Sequence, residues 1–275
     1  MNKLLAANFT RLKKDKAFLL FIAIMLLAGI LLPIIHYMDK VNSEYEVTLE
    51  RGFFAYAIFI IILTSVFTAL FVGTEYSDGT IRNKVIVGHN RVAVYLSNLL
   101  VCLVAGILMC TAYLIPYLCI GIPLLGFFKV GAIPILLLGM CVFAMMAAFV
   151  ALFTLIAMLS QNKAVTAVFC ILLAFFLLFI GASIKNRLEA PEYYSGYAIT
   201  GDGVTVAGKK TNPQYLTGSK RAAYEFLYDF LPGGQAVQLS GMSAVRLWLM
   251  PLYSVFILFV ATGAGIIVFK KKDLK

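Results

Sequence analysis

The sequence predicts an all-α membrane protein with six transmembrane helices, and three observations carry that reading. Hydrophobic residues make up 62% of the chain and charged ones 13%, about half the usual charged share of a soluble domain. Apolar stretches at about 17–37, 53–73, 95–121, 133–159, 164–184 and 247–269 each reach the roughly 20 residues a helix needs to cross a ~30 Å hydrocarbon core. Lys and Arg gather in alternate breaks between these stretches. The spans must be helical because lipid offers no partner to a free backbone group. The whole chain, 1–275, is expected to form one transmembrane domain, with 1–16 as an interfacial helix and 185–246 as an external region.

Residues 2–16 place Leu4, Leu5, Phe9 and Leu12 on one helical face and Lys3, Arg11, Lys13 and Lys14 over the rest. Such a helix suits the inner leaflet, apolar side down, with its basic residues among anionic headgroups; an ordinary basic anchor flank is the alternative. Arg11, Lys13, Lys14 and Lys16 before an apolar run also suit a signal peptide. The run continues through Leu31 and Leu32 to Tyr37 with no small-residue cleavage site after it, so it reads as a retained span.

Orientation follows from charge. With the N terminus inside, the cytosolic segments hold Lys3, Arg11, Lys13, Lys14, Lys16, Arg82, Lys84, Arg91, Lys163, Lys270, Lys271, Lys272 and Lys275. The short loops opposite hold only Lys40, Arg51 and Lys129, and the first also carries Asp39, Glu44, Glu46 and Glu50. The positive-inside rule places both termini in the cytosol of a multi-pass plasma-membrane protein. The net charge of +10 is mostly this bias, so no nucleic-acid partner is expected. The five cysteines, Cys102, Cys110, Cys119, Cys141 and Cys170, all fall inside spans, which indicates neither a disulfide framework nor a metal cluster.

Residues 72–91, VGTEYSDGTIRNKVIVGHNR, form the most structured polar break. Ser77 or Asp78 can cap a short helix that leads through Gly79 and Thr80 to Ile81, Val85 and Ile86 on one face, with Arg82 and Lys84 on the other. The whole reads as a cytosolic elbow built to be held by a partner. Glu75 sits just past the apolar run, where a carboxylate is expensive unless it reaches water or pairs with a cation such as Arg82; the residues alone favour a solvated charge. His89 reads as a polar loop residue.

In span three Pro116, then Gly121 and Pro123, and at the start of span four Pro134, are expected to kink or end helices. Ala144 with Ala148, and Ala261 with Gly265, would let helices approach closely. Spans four and five are separated only by Ser160, Gln161, Asn162 and Lys163, so they form an antiparallel hairpin whose turn is a second place for a cytosolic partner. Beyond span five, 197–206 (YAITGDGVTV) predicts a small β-hairpin around Gly201, Asp202 and Gly203. Residues 221–231 put Ala222, Ala223, Phe226, Leu227, Phe230 and Leu231 on one face, with Glu225 and Asp229 opposite. This amphipathic helix, ended by Pro232, Gly233 and Gly234, suits the outer interface, a re-entrant position, or packing beneath the external loop.

Residues 203–210, GVTVAGKK, come close to the phosphate-loop pattern G-x-x-x-x-G-K-S/T. Lys210 takes the hydroxyl position, and Pro213 prevents a following helix. No metal-ligand spacing or serine-nucleophile elbow occurs elsewhere. The chain is therefore not expected to be an enzyme, and any ATP must bind another chain.

The elbow EYSDGTIRNKVIVGHNR resembles the segment that follows the second span in ABC-2 type permeases: Glu, an aromatic, two variable residues, Gly-Thr, an aliphatic and Arg, with a further Arg about nine residues on, here Arg91. The stretch YEFLYDFLPGGQ before the last span and the ending VFKKKDLK are also similar to that family. The resemblance implies a permease subunit of an ABC exporter that pairs as a homodimer or heterodimer and binds a separate cytosolic ABC ATPase, which carries the ATP and Mg; this chain would hold no cofactor. By that likeness residues 78–88, including Asp78, Gly79, Thr80 and Arg82, form a coupling helix seated on the ATPase. Glu75 and Arg82 would tie span two to it, Arg91 would assist, and Gln161, Asn162 and Lys163 would form a second contact.

The substrate path would run at the dimer interface past Phe59, Phe67, Phe175 and Phe176. Short permeases of the family export amphipathic peptides such as lantibiotics and bacitracin-like compounds, or confer immunity to them. The absence of Asp, Glu, Lys and Arg within the spans argues against an ion-coupled pathway. A lipid or lipid-linked glycan exporter and a non-transporting membrane-remodelling or sensing relative stand as alternatives.

Overall fold

The computed structural model describes residues 1–42, 46–200 and 203–273. Helix α1 (Asn2–Lys14) meets α2 (Lys16–Asn42) at Asp15, whose carboxylate accepts the Phe18 N–H at 2.9 Å and so caps α2. A short α3 (Glu50–Phe53) leads into α4 (Tyr56–Ser77), followed by α5 (Thr80–Ile86), α6 (Arg91–Leu125), α7 (Ala132–Leu159) and α8 (Lys163–Leu188). Strands β1 (Tyr193–Thr200) and β2 (Gly203–Thr211) precede α9 (Gly218–Phe230), α10 (Pro232–Ser240) and α11 (Leu249–Lys271). Among the described residues, six helical segments are long and apolar enough to cross a membrane: α2, α3 with α4, α6, α7, α8 and α11. The all-α membrane fold is as the sequence predicts. Most spans extend a few residues beyond their apolar runs, because the helix continues into the polar flank where water or protein receives its last carbonyls.

Helix α2 packs along α6, α11 along α7, and α4 lies between α7 and α8. The bundle has two ends. The elbow end gathers α1, α5, the 160–163 turn and the C terminus of α11. The far end gathers α3, the 126–131 loop and the α10–α11 connection. There the Tyr113 and Tyr117 hydroxyls donate to the Gly52 and Leu49 carbonyls at 2.7 and 3.0 Å. The Glu50 carboxylate accepts the Lys129 N–H and, at 3.0 Å, the Val130 N–H.

One local expectation narrows and two change. Helix α6 continues through Pro116 and Pro123, and Pro134 lies in the first turn of α7, where an N–H has no intrahelical acceptor to lose. Pro232 does not close the amphipathic helix; it opens α10 as its first residue, the position for which its fixed φ is pre-organised. The two glycines are then buried inside α10 and let its backbone meet α8: a Cβ on Gly233 would stand 1.9 Å from the Leu177 carbonyl oxygen, and one on Gly181 2.5 Å from that of Gly233. The buried line of α1 is Leu4, Asn8 and Leu12, with Leu5 and Phe9 half-buried; its polar middle residue turns that face toward protein.

The hairpin is longer than its predicted core, pairing Tyr193 with Thr211 through Thr200 with Gly203. Its turn residues Gly201 and Asp202 lie outside the described residues, as do Glu44 and Lys275 of the charge pattern. Residues 203–210 form extended strand, not the strand-to-helix turn of a phosphate loop. The five cysteines are unbonded.

Candidate functional site

Gly79 makes the elbow. Its φ of +68° is a left-handed conformation that glycine adopts without steric cost, and it reverses the chain between α4 and α5. Gly79 is itself the N-cap residue of α5, and no side chain caps the helix, so neither Ser77 nor Asp78 does so. This turn also sets the faces of α5. Ile81 is fully buried and Lys84 is turned inward, its side chain 11% exposed, while Arg82 is exposed. Ile86 and Val87 are 69% and 79% exposed. The expected division, with Ile86 on the face of Ile81 and Lys84 on that of Arg82, does not hold at those two positions.

Behind α5, Glu75 is 1% exposed, and the expected solvated carboxylate is a buried one. Its Oε1 pairs with both Arg11 of α1 and Lys84 of α5. Its Oε2 accepts from Asn98 Nδ2 of α6 at 2.9 Å. Asn98 Oδ1 in turn accepts from Asn8 Nδ2 at 3.0 Å, and Asn8 Oδ1 accepts from Lys84 Nζ at 2.9 Å, which closes the ring. Asn8 Nδ2 also reaches Ser97 Oγ at 3.3 Å. Arg11 donates to the Phe71 carbonyl at 2.7 Å and lies over the Phe71 ring, 3.6 Å from its centroid. A buried carboxylate is tolerated only when paired and hydrogen-bonded, and here three other helices, α1, α5 and α6, supply the partners. Burial lowers the Lys84 ammonium from its ordinary pKa, and the adjoining Glu75 carboxylate opposes that shift.

Arg82, the expected partner of Glu75, makes no hydrogen bond or ion pair among the described residues. Gly79 rotates α5 so that Lys84 is the inward cation. Arg91 is spent on α11: it donates to the carbonyls of Phe269 at 3.1 Å, Lys270 at 3.2 Å and Lys272, a cation placed at a helix C terminus where the dipole favours it. Asn162 caps α8 by accepting from Ala164 and Val165 N–H at 2.9 and 3.3 Å. Gln161 donates to the Asp273 carbonyl at 2.8 Å. Ser77 and Leu70 face the 161–163 turn across a cleft of about 500 Å³, so both candidate contact regions lie on one end of the bundle. Asp78 is exposed and Thr80 half-buried.

The four phenylalanines do not come together. Phe67 is fully buried against Phe18 and Phe71, with ring centroids 5.9 and 5.2 Å away, which removes it from any open path in this conformation. Phe59, Phe175 and Phe176 are exposed.

The two-span elbow with its buried carboxylate falls within residues 4–181, which match the family model described as ABC-2 family transporter protein. The chain belongs to that family. It is a membrane permease component of an ABC transporter, a transmembrane part and not a nucleotide-binding one. ABC-2 permeases generally pair with an ATPase subunit. Comparison with curated protein sequences returns no match. The matched residues end inside α8, so the likenesses read in 224–235 and 268–275 lie beyond them.

Sequence reasoning missed Arg11, Lys84 and Asn98 as partners of Glu75, and Asn8 and Ser97 as the residues that complete the network. Two signals were present: Asn8 interrupts the Leu4–Leu12 stripe at helical spacing, and Asn98 stands inside an apolar span. A polar residue on a buried face needs a partner.

Proposed function

We propose that this permease moves an amphipathic peptide or a hydrophobic drug-like compound out of the cell, driven by a separate cytosolic ATPase seated on α5 and the 160–163 turn. The observation that carries the docking part is the pairing of an exposed apolar tip, Ile86 and Val87, with a buried charge ring directly behind it. An exposed tip supplies a surface to grip, and the ring ties the gripped helix to α1, α4 and α6. ATP binding that favours one ATPase arrangement then shifts the permease between conformations through a segment that moves as a unit. Asp78, Gly79, Thr80 and Arg82 contribute to the docking surface, and Glu75 and Arg91 hold it in place from behind. The basic bias of the elbow end supports a cytosolic position for it and for both termini. A second permease chain, identical or not, covers the exposed Phe175 and Phe176 face of α8.

The experiment is co-purification of the tagged chain in mild detergent, with mass spectrometry of what it retains. An ATPase subunit is expected with the wild type and lost from an Ile86→Asp/Val87→Asp variant of unchanged thermal stability, because both side chains are exposed. A chain that purifies alone even after crosslinking overturns the reading. Transport of labelled peptide against labelled lipid in vesicles then separates peptide export from lipid or lipid-linked glycan export, and ATPase stimulation without transport identifies a remodelling or sensing role.

A further inference from the structure

At the far end, α6 and α7 diverge around an apolar groove of about 420 Å³, within the ~300–1,000 Å³ range of small-molecule sites. Phe53 of α3, Tyr56 of α4, Leu118 of α6, Phe128 of the 126–131 loop, and Gly139 and Phe143 of α7 are among its walls. Phe128 stands edge-on to Phe53 at 5.0 Å and to Phe127 at 5.7 Å, forming an aromatic lip. Gly139 sits within the α7 wall where an added Cβ would meet nothing within 4 Å. The groove is flanked on α7 by Ile133, Leu136 and Met140, all more than 60% exposed, and thus by the surface that faces hydrocarbon in a spanning helix. Water entering such a space would lack the two to four polar partners it requires.

Next to the lip, Lys129 and Glu46 form an exposed pair of opposite charge. Lys129 is held in place because its own N–H and that of Val130 are gathered by Glu50. An apolar groove in a lipid-facing wall with a cation and an anion beside its mouth complements a molecule made of an acyl chain and a zwitterionic headgroup.

We propose that the α6–α7 groove is a binding site for one acyl chain of a zwitterionic phospholipid, whose phosphate lies against Lys129 and whose ammonium lies against Glu46. The lipid fills space that the protein's own side chains leave open and wedges the far ends of α6 and α7 at their present spacing. The site is independent of the ATPase reading, and its test uses no nucleotide.

The test reconstitutes the full chain in nanodiscs containing phosphatidylethanolamine with a photoactivatable group in its acyl chain, and maps labelled peptides. Residues 127–143 are expected to carry more label than the α11 surface around Gly263, another helical glycine whose Cβ would meet nothing within 4 Å. Gly139→Phe fills the groove and is expected to lower that label about tenfold, the effect of losing contact with roughly two methylenes; Gly263→Phe leaves it unchanged. Even label along α7 and α11 in the wild type overturns the proposal, whether or not Gly139→Phe folds, as does full labelling of a folded Gly139→Phe. A photoactivatable fatty alcohol that labels 127–143 as strongly as the phospholipid overturns the headgroup assignment.

Discussion

The two ends of the bundle are held by different physics. At the elbow end, one buried carboxylate faces two cations and an asparagine from other helices, and a second asparagine closes the ring. At the far end, tyrosine hydroxyls and one carboxylate collect backbone groups of the connecting loops, and α10 meets α8 through bare backbone at Gly181 and Gly233. A buried ion ring is unforgiving: its members are stable together and costly apart. Hydrogen bonds that each serve a separate backbone group, and close backbone contacts, are lost one at a time. The contrast suits an elbow that transmits displacement as a unit and a far end that can yield locally.

The sharpest way to break the contrast is Glu75→Ala. It leaves Arg11 and Lys84 without their anion and Asn98 without an acceptor, and removing one member of a buried pair costs about 3–5 kcal/mol. Thermal unfolding in detergent should fall by roughly 10 °C. Glu75→Gln keeps an oxygen for Asn98 and should fall by less. Equal, small shifts for both would mean that the ring contributes no more than a surface pair.

Gly233→Ala tests whether the far end depends on shape. Its methyl would collide with the Leu177 carbonyl, and overpacking of this kind costs about 1–3 kcal/mol. The expected signature is local: proteolysis or hydrogen exchange should rise in α9 and α10 while the elbow keeps its protection. Loosening at both ends together would show that they are one cooperative unit.

Much of this architecture was legible in the sequence. Lipid imposes long apolar runs, so all six spans are visible as composition; the elbow, the hairpin and the helix at 221–231 are visible because Gly, Pro and helical periodicity mark them. What was not legible is partnership. Arg82 is a nearby cation in sequence, but a left-handed Gly79 turns α5 by an amount that no side-chain pattern records, and Lys84 becomes the inner one. Arg11 reaches Glu75, and Asn8 reaches Asn98 and Lys84, only because α1 packs back on α6. Pro232 has the same residue signature whether it ends one helix or begins the next, and the choice is made by α8 offering Gly181 as a seat for α10. Phe67 and Phe175 look alike in an apolar run; which faces inward depends on where neighbouring helices stand.

Tyr117→Phe probes the far end more gently. It removes the hydrogen bond to the Leu49 carbonyl and leaves the ring against Phe53 at 5.6 Å, so a loss of about 0.5–1.5 kcal/mol is expected. Combining it with Tyr113→Phe should give nearly additive losses, because the two hydroxyls serve different carbonyls, Leu49 and Gly52. A strongly non-additive double-mutant cycle would instead make the far end a coupled network like the elbow.

The smallest expected effect is a response to acid confined to the far end. The hydrogen bond and charge of Lys129 hold the Glu46 carboxyl below its ordinary value of 4.5. A carboxyl with a depressed folded-state pKa stabilises the folded state above its unfolded-state value, and that contribution is lost as pH falls through the folded-state value. The pair is solvent-exposed, so salt should weaken it as well. A spin label at Val130 should therefore gain mobility on acidification below the carboxylate range and on addition of salt, and Glu46→Gln should remove the salt response and reduce the acid response, what remains belonging to the Glu50 carboxylate that accepts the Val130 N–H. The same titration read from a label at Val87 tests the other half of the contrast. Glu75 is buried with its cations, so salt that loosens the far-end loop should leave the elbow unmoved; an equal salt response at Val87 would mean that water reaches the ring.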